Sequence, residues 1–68
     1  MTLFYGEEVV AEIITNHSMT IEEALYCHGY DVNDQVDMEK AYNDGVPGSY
    51  LDDSGYYHID TDGMTMEY

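Results

Sequence analysis

The sequence has almost no basic residues. A single lysine, Lys40, stands against fifteen aspartates and glutamates, so the formal net charge is −14. A chain of this charge repels phosphate, which excludes the class of proteins that bind DNA or RNA through basic surfaces. High net charge is also typical of disordered chains. The 44% hydrophobic content and the eight tyrosines nevertheless favour a folded domain.

Cysteine is nearly absent too. Cys27 is the one cysteine, so no internal disulfide is possible and a disulfide-stapled secreted scaffold is excluded. The sequence shows no long apolar run and no basic, apolar leader, so we expect neither membrane insertion nor export, and we expect a cytoplasmic protein. A length of 68 residues predicts one small acidic domain over residues 1–68.

The densest aliphatic stretch predicts a helix. Its apolar residues recur at i, i+1, i+4 and i+5: Val9, Val10, Ile13 and Ile14. This spacing is typical of a helix with one broad apolar face, so we predict a helix over about residues 6–16 with the rest of the chain packed against it. For residues 1–5 the pattern leaves open a short strand or a lead-in to this helix.

Two further helices have clear end signals. Thr20 and Glu23 have the spacing of a capping box, and Gly29 stands where a left-handed C-cap belongs, which predicts a helix over about residues 21–28. A third helix is expected to begin after Asp31 or Asp34 and to end at Gly45, before a Val-Pro-Gly connector.

The C-terminal part changes to strand periodicity. Apolar segments at 50–51, 56–59 and 64–68 are separated by Asp-rich turns that end in Gly55 and Gly63, which predicts a small antiparallel meander. Alternation assigns one face of it to Tyr57, Ile59, Met64 and Met66. The expected fold class is therefore α+β, with about three short helices and a C-terminal antiparallel β-meander in a single domain.

The sequence offers little support for a metal, a cofactor or catalysis. Asp60, Asp62 and Gly63 resemble part of a calcium loop, but its closing glutamate would fall beyond the last residue. No spacing typical of a zinc site is present. Cys27 and His28 are neighbours whose side chains diverge on a helix. We therefore expect no enzyme activity and no cofactor, although weak cation binding by clustered acids stays open.

The acids and tyrosines form the candidate partner-binding site. Carboxylates at i and i+3 or i+4 of a helix lie about 5–6 Å apart at Cβ, and those at i and i+2 of a strand about 6.5 Å apart, which approximates a row of phosphates. Tyrosine is favoured at interfaces. The residues expected to contact a partner are Asp34, Asp37, Asp44, Asp52, Asp53, Asp60, Asp62, Tyr50 and Tyr56. Of the other tyrosines, we expect Tyr5, Tyr42 and Tyr57 in the core and Tyr30 and Tyr68 partly exposed.

Short length, strong acidity, one free cysteine and the absence of an enzymatic motif resemble the small phage-encoded DNA-mimic inhibitors, most of all the anti-CRISPR proteins. The resemblance covers the whole chain, but it is one of composition. It implies binding to the basic DNA-binding surface of a CRISPR effector, in the cytoplasm of the host cell, and a block to target DNA. The alternative is a tyrosine-rich acidic adaptor that binds a host or phage protein without mimicry.

Overall fold

The computed structural model describes residues 1–14 and 18–67 and has an α+β architecture. In chain order its elements are β1 Thr2–Tyr5, β2 Glu8–Glu12, α1 Ile21–Cys27, α2 Gln35–Asp44, β3 Ser49–Leu51, β4 Tyr57–Ile59, a 3₁₀ turn Thr61–Gly63, and β5 Met64–Glu67. The strands form two antiparallel sheets, one with the order β2-β1-β5 and one that pairs β3 with β4. The α+β class is confirmed, whereas the described residues contain two α-helices and not three.

The helix predicted over residues 6–16 is wrong, because β1 and β2 form a β-hairpin there. Gly6 opens its two-residue turn at φ 62°, a left-handed conformation that glycine adopts without strain. The pairing register shifts between Leu3 and Phe4, which leaves Val10 as the extra residue of a β-bulge. Val10 and the next residue, Ala11, are consequently both buried. Of the four aliphatic residues whose spacing predicted a helix, Val10 is buried and Ile13 is half-buried, whereas Val9 and Ile14 are exposed.

The isoleucines that follow β2 do not have the central role expected of them. Ile14 is fully exposed and Ile13 is half-buried. The backbone of Ile13 exchanges two hydrogen bonds with Met1, at 2.8 and 3.0 Å, so antiparallel contact continues past the end of β2. The open question about residues 1–5 is answered by a strand. The expected end of the helix at residue 16 and the position of Tyr68 lie outside the described residues.

The helix predicted over residues 21–28 is confirmed as α1. Thr20 Oγ1 accepts a hydrogen bond from the backbone N–H of Glu23 at 3.1 Å, and Glu23 Oε1 accepts one from the N–H of Thr20 at 3.2 Å, as a capping box requires. Gly29 adopts φ 105° after the helix, and the N–H of Tyr30 donates to the carbonyl of Leu25 at 2.8 Å. This end directs Tyr30 into the core, so the expectation that Tyr30 is partly exposed is wrong.

The third predicted helix is confirmed as α2, and the structure decides which of the two possible N-caps begins it. Asp34 and not Asp31 is the N-cap, and Gly45 closes the helix in the left-handed region. The helix buries Met38 and Ala41 against the core. Tyr42 was expected in the core, but it is 43% exposed, with its ring 5.5 Å from that of Tyr57.

The predicted meander is correct for its first two strands and wrong for its third. The hairpin of β3 and β4 forms as expected, whereas β5 pairs with β1 at the other end of the chain. The 3₁₀ turn over residues 61–63 separates β4 from β5. The predicted inner face still agrees with the structure, because Ile59 and Met64 are buried and Tyr57 and Met66 pack on the core. No helix of the described residues is long and apolar enough to cross a membrane.

Candidate functional site

The carboxylates cover the surface and lack cationic partners. All fifteen lie within the described residues and none is buried. The one side-chain ion pair found in residues 1–14 and 18–67 joins His58 to Asp52. The ammonium of Lys40 lies 5.7 Å from the ring centroid of Tyr30, where it makes a cation–π contact. Fourteen carboxylates therefore face solvent with no ion-pair partner in the described structure.

The three predicted site residues on α2 all take part in local hydrogen bonds. Asp34 Oδ1 accepts from the N–H of Val36 at 2.9 Å as the helix cap. Asp37 Oδ2 accepts from the N–H of Asp31 at 3.0 Å. Asp44 Oδ2 accepts from the hydroxyl of Tyr30 at 2.9 Å. Because Asp34 precedes the helix and Asp44 ends it, these two lie at opposite ends of an axis of about 15 Å.

Asp52 organises the turn between β3 and β4. Its Oδ1 accepts from the N–H groups of Ser54 at 2.8 Å and Tyr56 at 3.0 Å, and its Oδ2 lies 2.5 Å from His58 Nε2. The backbone hydrogen bond from Tyr56, followed by the contact with His58, holds the pKa of Asp52 below its ordinary value. Both oxygens of this carboxylate are therefore engaged in contacts within the hairpin.

The two predicted aromatic contacts lie on the same hairpin. Tyr50 is 47% exposed and stacks on His58, with ring centroids 5.1 Å apart and an interplanar angle of 25°. Tyr56 is 58% exposed. The hairpin therefore brings Tyr50, Tyr56, Asp52 and Asp53 together, and α2 packs against β3 and β4 beside them.

The remaining predicted acids follow the hairpin. Asp60 Oδ2 accepts from the hydroxyl of Tyr5 at 2.9 Å, which connects the end of β4 to the end of β1. This hydrogen bond, more than charge or burial, raises the pKa of Tyr5. Asp53 and Asp62 are exposed, and their side chains make no hydrogen bond within the described residues. The seven predicted acids are thus on the surface, five of them fixed by the fold and two free.

Sequence reasoning missed a contact of Gln35. Its side-chain amide donates to the carbonyl of Tyr57 at 2.8 Å and accepts from the N–H of Tyr57 at 2.8 Å. The side chain thereby pairs with β4 as a neighbouring strand would and fixes α2 on the hairpin. A separation of 22 residues left no local sequence signal for this contact.

The fold and surface define a small, strongly acidic α+β domain. Comparisons with protein-family models, with curated proteins and with solved structures found no match for this chain. Within the described residues, no group of three or more histidine, cysteine, aspartate or glutamate side chains is arranged to hold a metal ion. Cys27 is a free, exposed thiol at the end of α1. The acidic surface is therefore the feature from which function is argued.

Added salt is expected to stabilise the fold. Raising sodium chloride from about 0.05 to about 0.5 M shortens the Debye length and weakens repulsion among the unpaired carboxylates, so the Tm should rise by about 5–10 °C. Thermal unfolding followed by circular dichroism measures this. Calcium chloride at equal ionic strength is the control and should give the same Tm. An unchanged Tm contradicts the prediction, and a large rise at micromolar calcium would indicate a specific cation site.

Alkaline pH is expected to remove the stabilisation that comes from Tyr30. Burial, and then its hydrogen bond to Asp44, raises the pKa of Tyr30 above 10.0. The folded state thus holds this proton more tightly than the unfolded state does. The stabilisation is complete below pH 10 and is lost as the pH rises through the folded-state pKa. Urea unfolding between about pH 8 and pH 11.5 should show that the free energy of unfolding falls more steeply with pH in the natural chain than in Tyr30→Phe.

The matched control for that series is Tyr56→Phe, because Tyr56 is exposed and its hydroxyl makes no hydrogen bond in the described structure. In this variant the free energy of unfolding should fall with pH as steeply as it does in the natural chain. The growing net charge of the rest of the chain acts alike on all three proteins. If stability falls equally steeply with pH in all three proteins, Tyr30 is not the source of the alkaline loss.

Proposed function

We propose that this protein is an acidic mimic of nucleic acid, which binds the basic DNA-binding surface of a CRISPR effector in the host cytoplasm and blocks its access to target DNA. The observation that carries the proposal is the set of fourteen carboxylates without an ion-pair partner in the described structure. A net charge of magnitude about 2–8 suffices for the solubility of a small domain, and this chain exceeds it. The excess charge attracts proteins that bind phosphate and accelerates their association.

The hydrogen bonds of the site support this function. In Asp34, Asp37, Asp44 and Asp60 one oxygen accepts an internal hydrogen bond and the other does not. The side chain is thus held in one rotamer while its charge faces solvent. Ordering a free side chain on binding costs about 0.5–1.5 kcal/mol, and here the fold has met much of that cost in advance. In the proposal these acids act as charges held in fixed positions, as phosphates are.

The proposal is tested by the order of addition. The chain is mixed with a purified CRISPR effector, either a multi-subunit surveillance complex or a single-chain nuclease, before or after target DNA. Added first, it should block DNA binding; added after the DNA has bound, it should act poorly. Its affinity for the effector should also fall steeply as salt rises. Equal inhibition in both orders, with an affinity that salt leaves unchanged, would refute mimicry.

Neutralised variants locate the contact. The triple variant Asp37→Asn, Asp44→Asn and Asp60→Asn removes three charges but keeps an acceptor oxygen for each internal hydrogen bond. We expect it to bind the effector about tenfold more weakly and with a shallower salt dependence, each single change having a small effect. The control is Glu7→Gln, Glu8→Gln and Glu22→Gln, which makes the same change in net charge elsewhere. Equal losses in the two triples would mean that only total charge matters.

The exposed tyrosines favour a second candidate, a tyrosine-led adaptor. Tyr50, Tyr56 and Tyr42 expose 47%, 58% and 43% of their surface on or beside the β3–β4 hairpin. Aromatic side chains in such positions often dominate the energy of protein interfaces. An adaptor would lose binding in Tyr50→Ser and Tyr56→Ser, would tolerate salt and would not be displaced by DNA. The two candidates therefore give opposite results when salt is raised and when DNA is added as a competitor.

A further inference from the structure

The solvent side of the three-stranded sheet carries the only phenylalanine of the chain. Along β1, Leu3 is fully buried in the core and Phe4 points to the opposite face. Phe4 is half-buried, yet it belongs neither to the core nor to the hydrophobic side chains that pack on it. An aromatic ring is thus placed on the outside of a protein whose core is small.

The pairing register arranges this face in two rows, since residues directly opposite each other in antiparallel strands lie on the same side. Phe4 pairs with Val9 on one flank and Thr65 on the other, and Thr2 pairs with Glu12 and Glu67. We call this surface the outer sheet face, formed by Thr2, Phe4, Val9, Glu12, Thr65 and Glu67. The rows lie about 6.6 Å apart, and Glu12 and Glu67 are separated by two strand spacings, about 9.5 Å.

Most of the outer sheet face is open to solvent, although Thr2 and Phe4 are half-buried. Val9 is 51% exposed, and Glu12, Thr65 and Glu67 are exposed as well. Neither glutamate side chain makes a hydrogen bond or ion pair within the described residues. Ile14, which follows Glu12 by two residues, is fully exposed. The face therefore combines an apolar row with a second row that has an unpaired carboxylate at each end.

We propose that the outer sheet face docks a basic segment of a partner protein, one in which lysine or arginine side chains flank an apolar side chain. The apolar side chain would lie on Phe4 and Val9, and the basic side chains would pair with Glu12 and Glu67. The inference rests on the proposed function, in which the partner is basic, and adds a contact surface outside the acids of α2 and the tail.

Charge selects this occupant over the alternatives. A second copy of the chain would place carboxylates against carboxylates, because the one lysine lies on α2 and not on this face. A nucleic acid or an anionic lipid surface is repelled in the same way. A basic segment with an apolar residue is complementary to both rows, with burial of apolar area supplying affinity that salt does not screen.

The test uses two synthetic peptides of equal length and charge, one alternating lysine with valine and the other lysine with serine. Each is titrated into the full chain at about 0.15 M salt, where the Debye length is about 8 Å, and amide chemical shifts locate the contact. The lysine–valine peptide should bind about tenfold more tightly than the lysine–serine peptide. Its shifts should centre on β1, β2 and β5. Equal affinities, or shifts centred on α2 and the β3–β4 hairpin, would overturn the proposal.

Matched variants separate this face from general charge. Val9→Thr removes exposed apolar surface from the outer sheet face, and Val36→Thr makes the same change on α2, where Val36 is 71% exposed. Val9→Thr should lose most of the preference for the lysine–valine peptide, and Val36→Thr should keep it. Phe4→Thr should behave as Val9→Thr, with its fold verified by amide spectra. If Val9→Thr and Val36→Thr keep the preference equally, the apolar row plays no part.

The charged row has its own pair of variants. Glu12→Gln with Glu67→Gln should weaken both peptides several-fold, and Glu22→Gln with Glu39→Gln, an equal change on the helices, should weaken them less. Equal weakening by the two pairs would overturn the assignment of the glutamates.

Failure of the docking proposal is distinguishable from failure of the proposed function. A chain that blocks an effector but shows no peptide preference refutes only the docking face. A chain that shows the preference but blocks no effector refutes only the mimicry.

Discussion

Replacing Leu3 with alanine is expected to lower the free energy of unfolding by about 2–5 kcal/mol. Leu3 is fully buried at the centre of the three-stranded sheet, where it pairs with Ala11 and Met66. The loss combines the transfer free energy of the removed atoms with the cavity left behind. A chain of this length has a total stability of roughly 3–10 kcal/mol, so Leu3→Ala should remove a large fraction of it.

The control for Leu3→Ala is Ile14→Ala, a change at a fully exposed side chain. It should alter the stability by less than about 0.5 kcal/mol. Urea unfolding followed by circular dichroism measures both variants. The pair also tests the hairpin against the helix that the sequence predicts, in which Ile14 would be central to the core. A loss of several kcal/mol at Ile14 would contradict the hairpin.

The second large effect is expected from Gly63→Ala. A Cβ at this position would lie 2.6 Å from Cε1 of Tyr5 and 3.2 Å from Oδ2 of Asp60. The ring has little room to give way, because it also lies close to Gly48, where an added Cβ would be 2.9 Å from Cδ1. The substitution should displace the ring, break its hydrogen bond to Asp60 and cost about 1–3 kcal/mol, as overpacking does.

A double-mutant cycle identifies the cause of that loss. In a Tyr5→Val background the ring is absent, so adding Gly63→Ala should cost less than about 0.5 kcal/mol. Gly55→Ala is the comparison, because Gly55 has φ 87° and no atom within 4 Å of an added Cβ. Its cost comes from backbone conformation and should be the same in both backgrounds. If Gly63→Ala costs as much without the ring as with it, the packing explanation is wrong.

Local signals in the sequence predicted local structure well. The capping box of Thr20 and Glu23 and the glycine that ends α2 depend on residues within one turn of each other, so their chemistry is visible in the sequence. The bulge at Val10 is different, because it depends on how β2 pairs with β1. A bulge shifts the alternation of a strand by one residue, and the sequence of β2 alone does not show where that shift occurs.

The candidate site was predictable in composition and not in geometry. That the acids would be on the surface follows from the cost of burying a charge. Which acids the fold would fix does not follow, because Asp44 meets Tyr30 and Asp60 meets Tyr5 only after distant segments come together. The outer sheet face was missed for the same reason: Phe4, Val9 and Thr65 become neighbours only through the register of three strands.

The place of β5 has a consequence for how the chain is made. Its partner, β1, leaves the ribosome before it, and the residues between the two strands, 6–63, must be synthesised before β5 can join β1. Until then the nascent β1–β2 hairpin has an open edge, which can recruit strands from other chains. Glu7, Glu8 and Glu12 lie on this hairpin or in its turn. They would act as gatekeepers that keep neighbouring nascent chains apart during synthesis.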